Sequence, residues 1–160
     1  MWRCAKMKKP QLVLLTLVPI IVGWLINILI LIPVVGMLLF YVLPFGVLLF
    51  WFWLGKQYAK TDWNLVVSMI ISSAVGIISL ALYIWQFLFE TDETRNIFLA
   101  GLSQMYSAAT PSYLFGWFAI MFETQSHYFG RASFLAMQVI AVVLLLIIFI
   151  CGFIKGKKEH

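Results

Sequence analysis

From Gln11 to Leu54 the chain has no Asp, Glu, Lys, Arg or His, a gap of forty-four residues. A continuous helix of that length would reach about 66 Å, roughly twice the ~30 Å hydrocarbon core of a bilayer, so the run must cross and turn back. Charge is scarce elsewhere too. Only 11% of the 160 residues are Asp, Glu, Lys or Arg, against about 25% in soluble domains. This excludes a separate soluble domain, since the longest stretch outside the apolar spans, Glu90 to Ala132, is itself aromatic and apolar. Cysteine is nearly absent: Cys4 and Cys151 are the two present. They lie far apart in sequence and both are assigned to the reducing face, so neither a disulfide nor a metal site is expected. The formal charge of +5 sits in short basic clusters beside apolar spans, a pattern explained by membrane orientation rather than by nucleic acid.

What is present reads as an all-α integral membrane protein with four transmembrane helices, a single domain over residues 1–160. The spans are expected at about 11–32, 34–54, 64–89 and 132–154. The basic start, Arg3 to Lys9, resembles a signal peptide, but the apolar run continues past any cleavage pattern and reads as an uncleaved anchor. Ile32-Pro33-Val34-Val35-Gly36 is the expected turn of a tight hairpin, with Gly36 free to take a positive φ. Pro19 and Pro44 are expected to kink the first two spans. Trp51, Trp53, Tyr58 and Trp63 bracket Gly55 to Asp62 and predict a short interfacial loop there. In the third span Ser68, Ser72, Gly76 and Ser79 follow at spacings of four, four and three, which places them on one helix-packing face.

Asn96 to Phe122 is again uncharged, but a fifth span would carry the terminal Lys155-Gly156-Lys157-Lys158 cluster to the outer face. With four spans and both termini cytoplasmic, nine of the eleven basic residues lie inside and only Arg95 and Arg131 outside, as positive-inside orientation requires. The outer segment 90–131, between spans three and four, therefore reads as two short interfacial or re-entrant helices. Thr91 would cap the first, with Ile97, Gly101, Leu102, Met105 and Ala109 as its apolar face. Thr110 and Pro111 would start the second, an aromatic helix from Tyr113 to Phe122. At more than thirty residues the segment is far longer than usual connections and is the expected meeting place with a partner. Trp117 and Arg131 are its candidate anchors.

Other candidate binding residues are Asn27, a polar side chain within span one, and the pair Glu123 and His127, four apart. No third ligand at a recognisable spacing accompanies that pair, so no metal and no cofactor is expected. Glu123, His127 and Arg131 form the one acid–base group a membrane enzyme could use, and no catalytic residue is assigned. The plan of four spans with a longer second outer loop is similar to the quinone-linked disulfide oxidases, yet residues 33–36 and 90–132 contain no cysteine. Lipoprotein signal peptidases share the span number but need two membrane-proximal aspartates on one face. Here Asp62 and Asp92 are assigned to opposite faces. The sequence thus leads to an accessory, assembly or immunity-type subunit that recognises another membrane protein, or itself, within the lipid bilayer. The alternative is a small transporter, channel or lipid-handling protein acting as an oligomer. No organellar targeting signal is visible, so a bacterial cytoplasmic membrane is the expected location.

Overall fold

The computed structural model describes residues 7–29, 31–115 and 130–159, and every regular element among them is helical. The elements are α1 (Lys9–Leu15), α2 (Val18–Leu29), α3 (Pro33–Ala59), α4 (Leu65–Ile84) continued by a π-turn (Trp85–Phe89), α5 (Ile97–Ala108), a 3-10 helix (Pro111–Phe115) and α6 (Arg131–Lys158). Three helical segments among the described residues are long and apolar enough to cross a membrane: Lys9–Leu29, Leu65–Phe89 and Arg131–Lys158. Between the first two lies α3, 27 residues long.

Many hydroxyls are buried and many large apolar side chains are exposed. Ser68, Ser72, Ser79, Ser103, Ser107, Ser112 and Ser133 are buried, whereas Val34, Leu38, Val42, Phe45 and Leu49 of α3 are each more than half exposed. Those five recur every three or four residues and so form one stripe along the helix. A surface of that kind suits apolar surroundings, which accept apolar side chains and give no solvation to hydroxyls.

α3 and α6 make the most extensive helix contact. The pairing depends on small residues four apart on each helix, Gly55 and Ala59 facing Gly152 and Gly156. A Cβ at Gly55 would meet the Phe149 carbonyl oxygen, one at Gly152 the Phe52 carbonyl oxygen, and one at Gly156 would lie 2.8 Å from the Ala59 Cβ. Around this crossing Leu12, Trp51, Leu54, Tyr58, Leu145, Phe149 and Phe153 form the main apolar core. The Tyr58 and Phe149 rings meet edge to face at 5.5 Å.

Several sequence expectations are corrected by this packing. The turn between α2 and α3 occupies Leu31 and Ile32, and Pro33 is the first residue of α3. Gly36 is therefore helical, its N–H donating to the Ile32 carbonyl at 2.7 Å. The two arms are not a tightly packed hairpin, because α2 lies mainly on α5 and α3 on α6. Pro19 does not kink a continuous helix: α1 ends at Leu15 and α2 restarts at Val18. A proline excludes the carbonyl four residues upstream, here that of Leu15, from the helical ladder. Pro44, expected to kink the second span, lies inside α3. The helix α3, expected to stop at Leu54, runs on to Ala59 and α6 on to Lys158, because the Gly55–Gly156 crossing keeps both helices in register beyond the apolar runs. Trp51 and Tyr58, expected at the headgroup level, are core residues for the same reason.

Candidate functional site

α5 occupies the position that organises the rest. Its N-terminus lies beside the end of α4, where the buried Gln86 accepts the Asn96 N–H at 2.7 Å and its carbonyl accepts Arg95 Nε at 2.8 Å. Asn96, not Thr91, caps the helix, its Oδ1 accepting from the Phe98 and Leu99 N–H groups. Thr91 instead closes a turn, its carbonyl accepting the Arg95 N–H at 3.0 Å. From there α5 passes between α2 and α4, and Tyr106 reaches Gly76, at the centre of α4. A Cβ at Gly76 would lie 2.7 Å from the tyrosine oxygen.

The face of α5 turned inward is not the expected apolar one. Ala100, Ser103, Tyr106, Ser107 and Ala108 are buried, while Ile97 and Phe98 are 85% and 77% exposed. Of the five residues assigned to an apolar face, Ala109 alone is buried and Gly101 has open space around it. Small residues inward and large ones outward is the arrangement that maximises helix contact where the surroundings are apolar.

Ser68, Ser72, Gly76 and Ser79 are all buried along α4, which packs against both α5 and α6. Most hydroxyls in this region are satisfied within their own helix: Ser72 donates to Met69 O at 3.1 Å, Ser103 to Ala100 O at 2.7 Å, and Ser107 to Gln104 O at 2.9 Å. Ser79 bonds across, donating to Ser103 O at 3.1 Å. The serines therefore contribute mainly small size, and Ser79 in addition joins α4 to α5. Thr110 and Ser112 both donate to the Ser107 carbonyl, at 2.7 and 3.2 Å, and turn the chain into the 3-10 helix that begins at Pro111. The expected extension of that helix to Phe122 lies outside the described residues.

Of the candidate binding residues the structure describes Asn27 and Arg131, which lie on different helices. Trp117, Glu123 and His127 lie outside the described residues. Asn27 lies near the end of α2, not at mid-span, and is exposed. Its Nδ2 donates to the Gly23 carbonyl of its own helix at 3.0 Å. Arg131 opens α6 and donates to Phe87 O at 3.2 Å, with Asp92 at 3.5 Å. Arg95 joins the same group through Asp92 at 2.8 Å and lies over the Phe87 ring at 4.6 Å. Arg131 thus fastens the start of α6 to the end of α4. Among the described residues no group of three or more His, Cys, Asp or Glu could hold a metal ion.

At the opposite end the basic residues converge. Lys9 lies 3.7 Å from Asp62 and over the Trp63 ring, and Lys56 is 2.6 Å from Glu159. The Lys56 ammonium, as hydrogen-bond donor, holds the exposed Glu159 carboxyl below the ordinary range.

Among the described residues, two apolar clefts of similar size lie between helices. One of about 200 Å³ separates α2 from α3, lined by Val18, Pro19, Val22, Leu43, Gly46 and Phe50. The other, about 210 Å³, lies among α2, α4 and α5, with Ser79 and Tyr106 in its wall.

Sequence reasoning missed Tyr106, Gln86 and the glycines at 23, 55 and 152. The Gly152–Gly156 spacing of four was a readable signal, whereas nothing local marks Tyr106 as the residue that meets Gly76. No protein-family model matches the chain, and neither a curated protein nor a solved structure matches it.

Proposed function

We propose that this chain is an accessory, assembly or immunity-type subunit of a bacterial cytoplasmic membrane, which recognises another membrane protein through its lipid-facing side. The observation that carries the proposal is the α2–α3 cleft. It is apolar and lies between two helices, and at Gly46, which is exposed, a Cβ would meet nothing within 4 Å. A small residue with free space above it in a lipid-facing groove lets a second helix approach to backbone contact. Gly46→Leu would fill the groove without touching the fold. The expected result is unchanged thermal stability together with loss of the partner that co-purifies with tagged wild-type protein in mild detergent. Full recovery of that partner with Gly46→Leu would remove the cleft from the interface.

The proposal includes four crossings, α3 being the fourth, with both termini cytoplasmic and α5 and the 3-10 helix as a re-entrant segment. Its support is the pairing of Lys9 with Asp62 and of Lys56 with Glu159, at the start of α1 and the end of α6 on one pole of the bundle. In a background lacking Cys4 and Cys151, a cysteine at Lys158 should resist membrane-impermeant labelling in intact cells and react after lysis. Labelling from outside would reverse the orientation.

A second reading, a small lipid-handling or transport protein, is favoured by the α2–α4–α5 cleft, whose apolar wall carries the Ser79 and Tyr106 hydroxyls. It gains the upper hand if Tyr106→Phe changes lipid or solute movement in reconstituted vesicles while Gly46→Leu leaves the co-purifying partner in place.

A further inference from the structure

The pole of the bundle where α1 begins and α3 and α6 end is strongly basic. Among the described residues it holds seven lysines, at the start of α1, at the end of α3 and in the last turn of α6, against Asp62 and Glu159, an excess of five positive charges. The opposite pole has Arg95 and Arg131 facing Glu90, Asp92 and Glu93.

Aromatic rings fix the depth of these charges. Lys9 Nζ lies 5.4 Å over Trp63, Lys155 Nζ 5.7 Å over Phe52 and Lys157 Nζ 5.8 Å over Phe153. Each aliphatic stem therefore runs along apolar surface and each ammonium emerges where that surface ends, the level at which headgroup phosphates lie. α6 also presents Val143, Ile147, Cys151 and Ile154 outward at spacings of four, four and three, and the exposed Lys158 continues the same face four residues on. Such a stripe matches one lipid molecule, with apolar track for the acyl chains and an ammonium group at its end for the phosphate.

We infer that this pole binds the phosphate headgroups of anionic phospholipids, with Lys155, Lys157 and Lys158 supplying most of the attraction. Lysine suits the role because it is a point charge on a flexible stem and can follow a mobile phosphate. The inference does not depend on which membrane protein the chain recognises.

The test is thermal unfolding of the full chain in a neutral detergent, titrated separately with phosphatidylglycerol, phosphatidylcholine and inorganic phosphate. Phosphatidylglycerol should raise the midpoint, phosphatidylcholine and inorganic phosphate should not, and ~1 M salt should remove the effect because the screening length falls to ~3 Å. Combined K155Q, K157Q and K158Q should weaken the response on the order of 100-fold, each near-surface lysine contributing roughly fivefold. If that variant fails to fold, K8Q with K60Q, on separate elements, should weaken it roughly 25-fold. Equal responses to the two lipids would overturn the inference. So would a full response in the substituted protein, and an equal effect of inorganic phosphate would show a free-anion site instead.

Discussion

Gly152→Leu is expected to destroy the α3–α6 pair. A Cβ at this position falls on the Phe52 carbonyl oxygen and lies 2.9 and 3.1 Å from the Phe52 carbonyl carbon and Cα. All three obstacles are backbone, so no rotamer change relieves them, and the helices must separate along the seam that also holds Gly55 and Gly156. Forcing extra methylenes into a packed core costs about 1–3 kcal/mol when side chains can shift. Where backbone must move the loss should exceed ~3 kcal/mol, in the range reserved for severe core defects. Gly101→Leu is the control: open space surrounds Gly101 on α5, and replacing a mid-helix glycine by leucine gains up to ~1 kcal/mol of helix propensity. In detergent, the first variant should lose its cooperative thermal transition or show it far below wild type. The second should match or exceed wild type. Equal midpoints for the two would mean that α3 and α6 do not cross where Gly55 and Gly152 meet.

Gly23→Leu should be nearly as damaging but at a different place. Its Cβ falls on the Met105 carbonyl oxygen of α5, 2.7 Å from the carbonyl carbon, so α2 and α5 must part. α5 would remain attached to α4 through the Ser79–Ser103 bond and the Tyr106–Gly76 contact, while losing its cover on the other side. A destabilisation of about 2–4 kcal/mol is expected. Hydrogen exchange separates the two variants: Gly23→Leu should lose protection over Ile97–Ala108 while α3 and α6 keep theirs, and Gly152→Leu should do the reverse. Uniform loss across the bundle in both would show a single cooperative unit with no separable α2–α5 seam.

These glycines also mark how far the sequence could be read. The scarcity of charge determined by itself that the chain is helical and apolar enough to cross a membrane, because a backbone without water must satisfy its hydrogen bonds within helices. The period of Ser68, Ser72, Gly76 and Ser79 placed these residues on one face of α4, where all four are buried. Local chemistry sets such features, so local residues reveal them.

The tertiary structure alone decided which helices pair. Between apolar helices in lipid, hydrophobicity is the same on every side and gives no preference, so partners are chosen by how closely a small residue lets a distant part of the chain approach. Gly23 with Met105, Gly76 with Tyr106 and Gly55 with Phe149 are such fits. They explain why α2 turned from its sequence neighbour α3 to α5, and why α3 extended five residues past its expected end. The tertiary structure also decided what the two described candidate side chains do, since a polar group near a helix end is satisfied by a carbonyl within reach: Gly23 O for Asn27 on its own helix, and Phe87 O for Arg131 across to the end of α4.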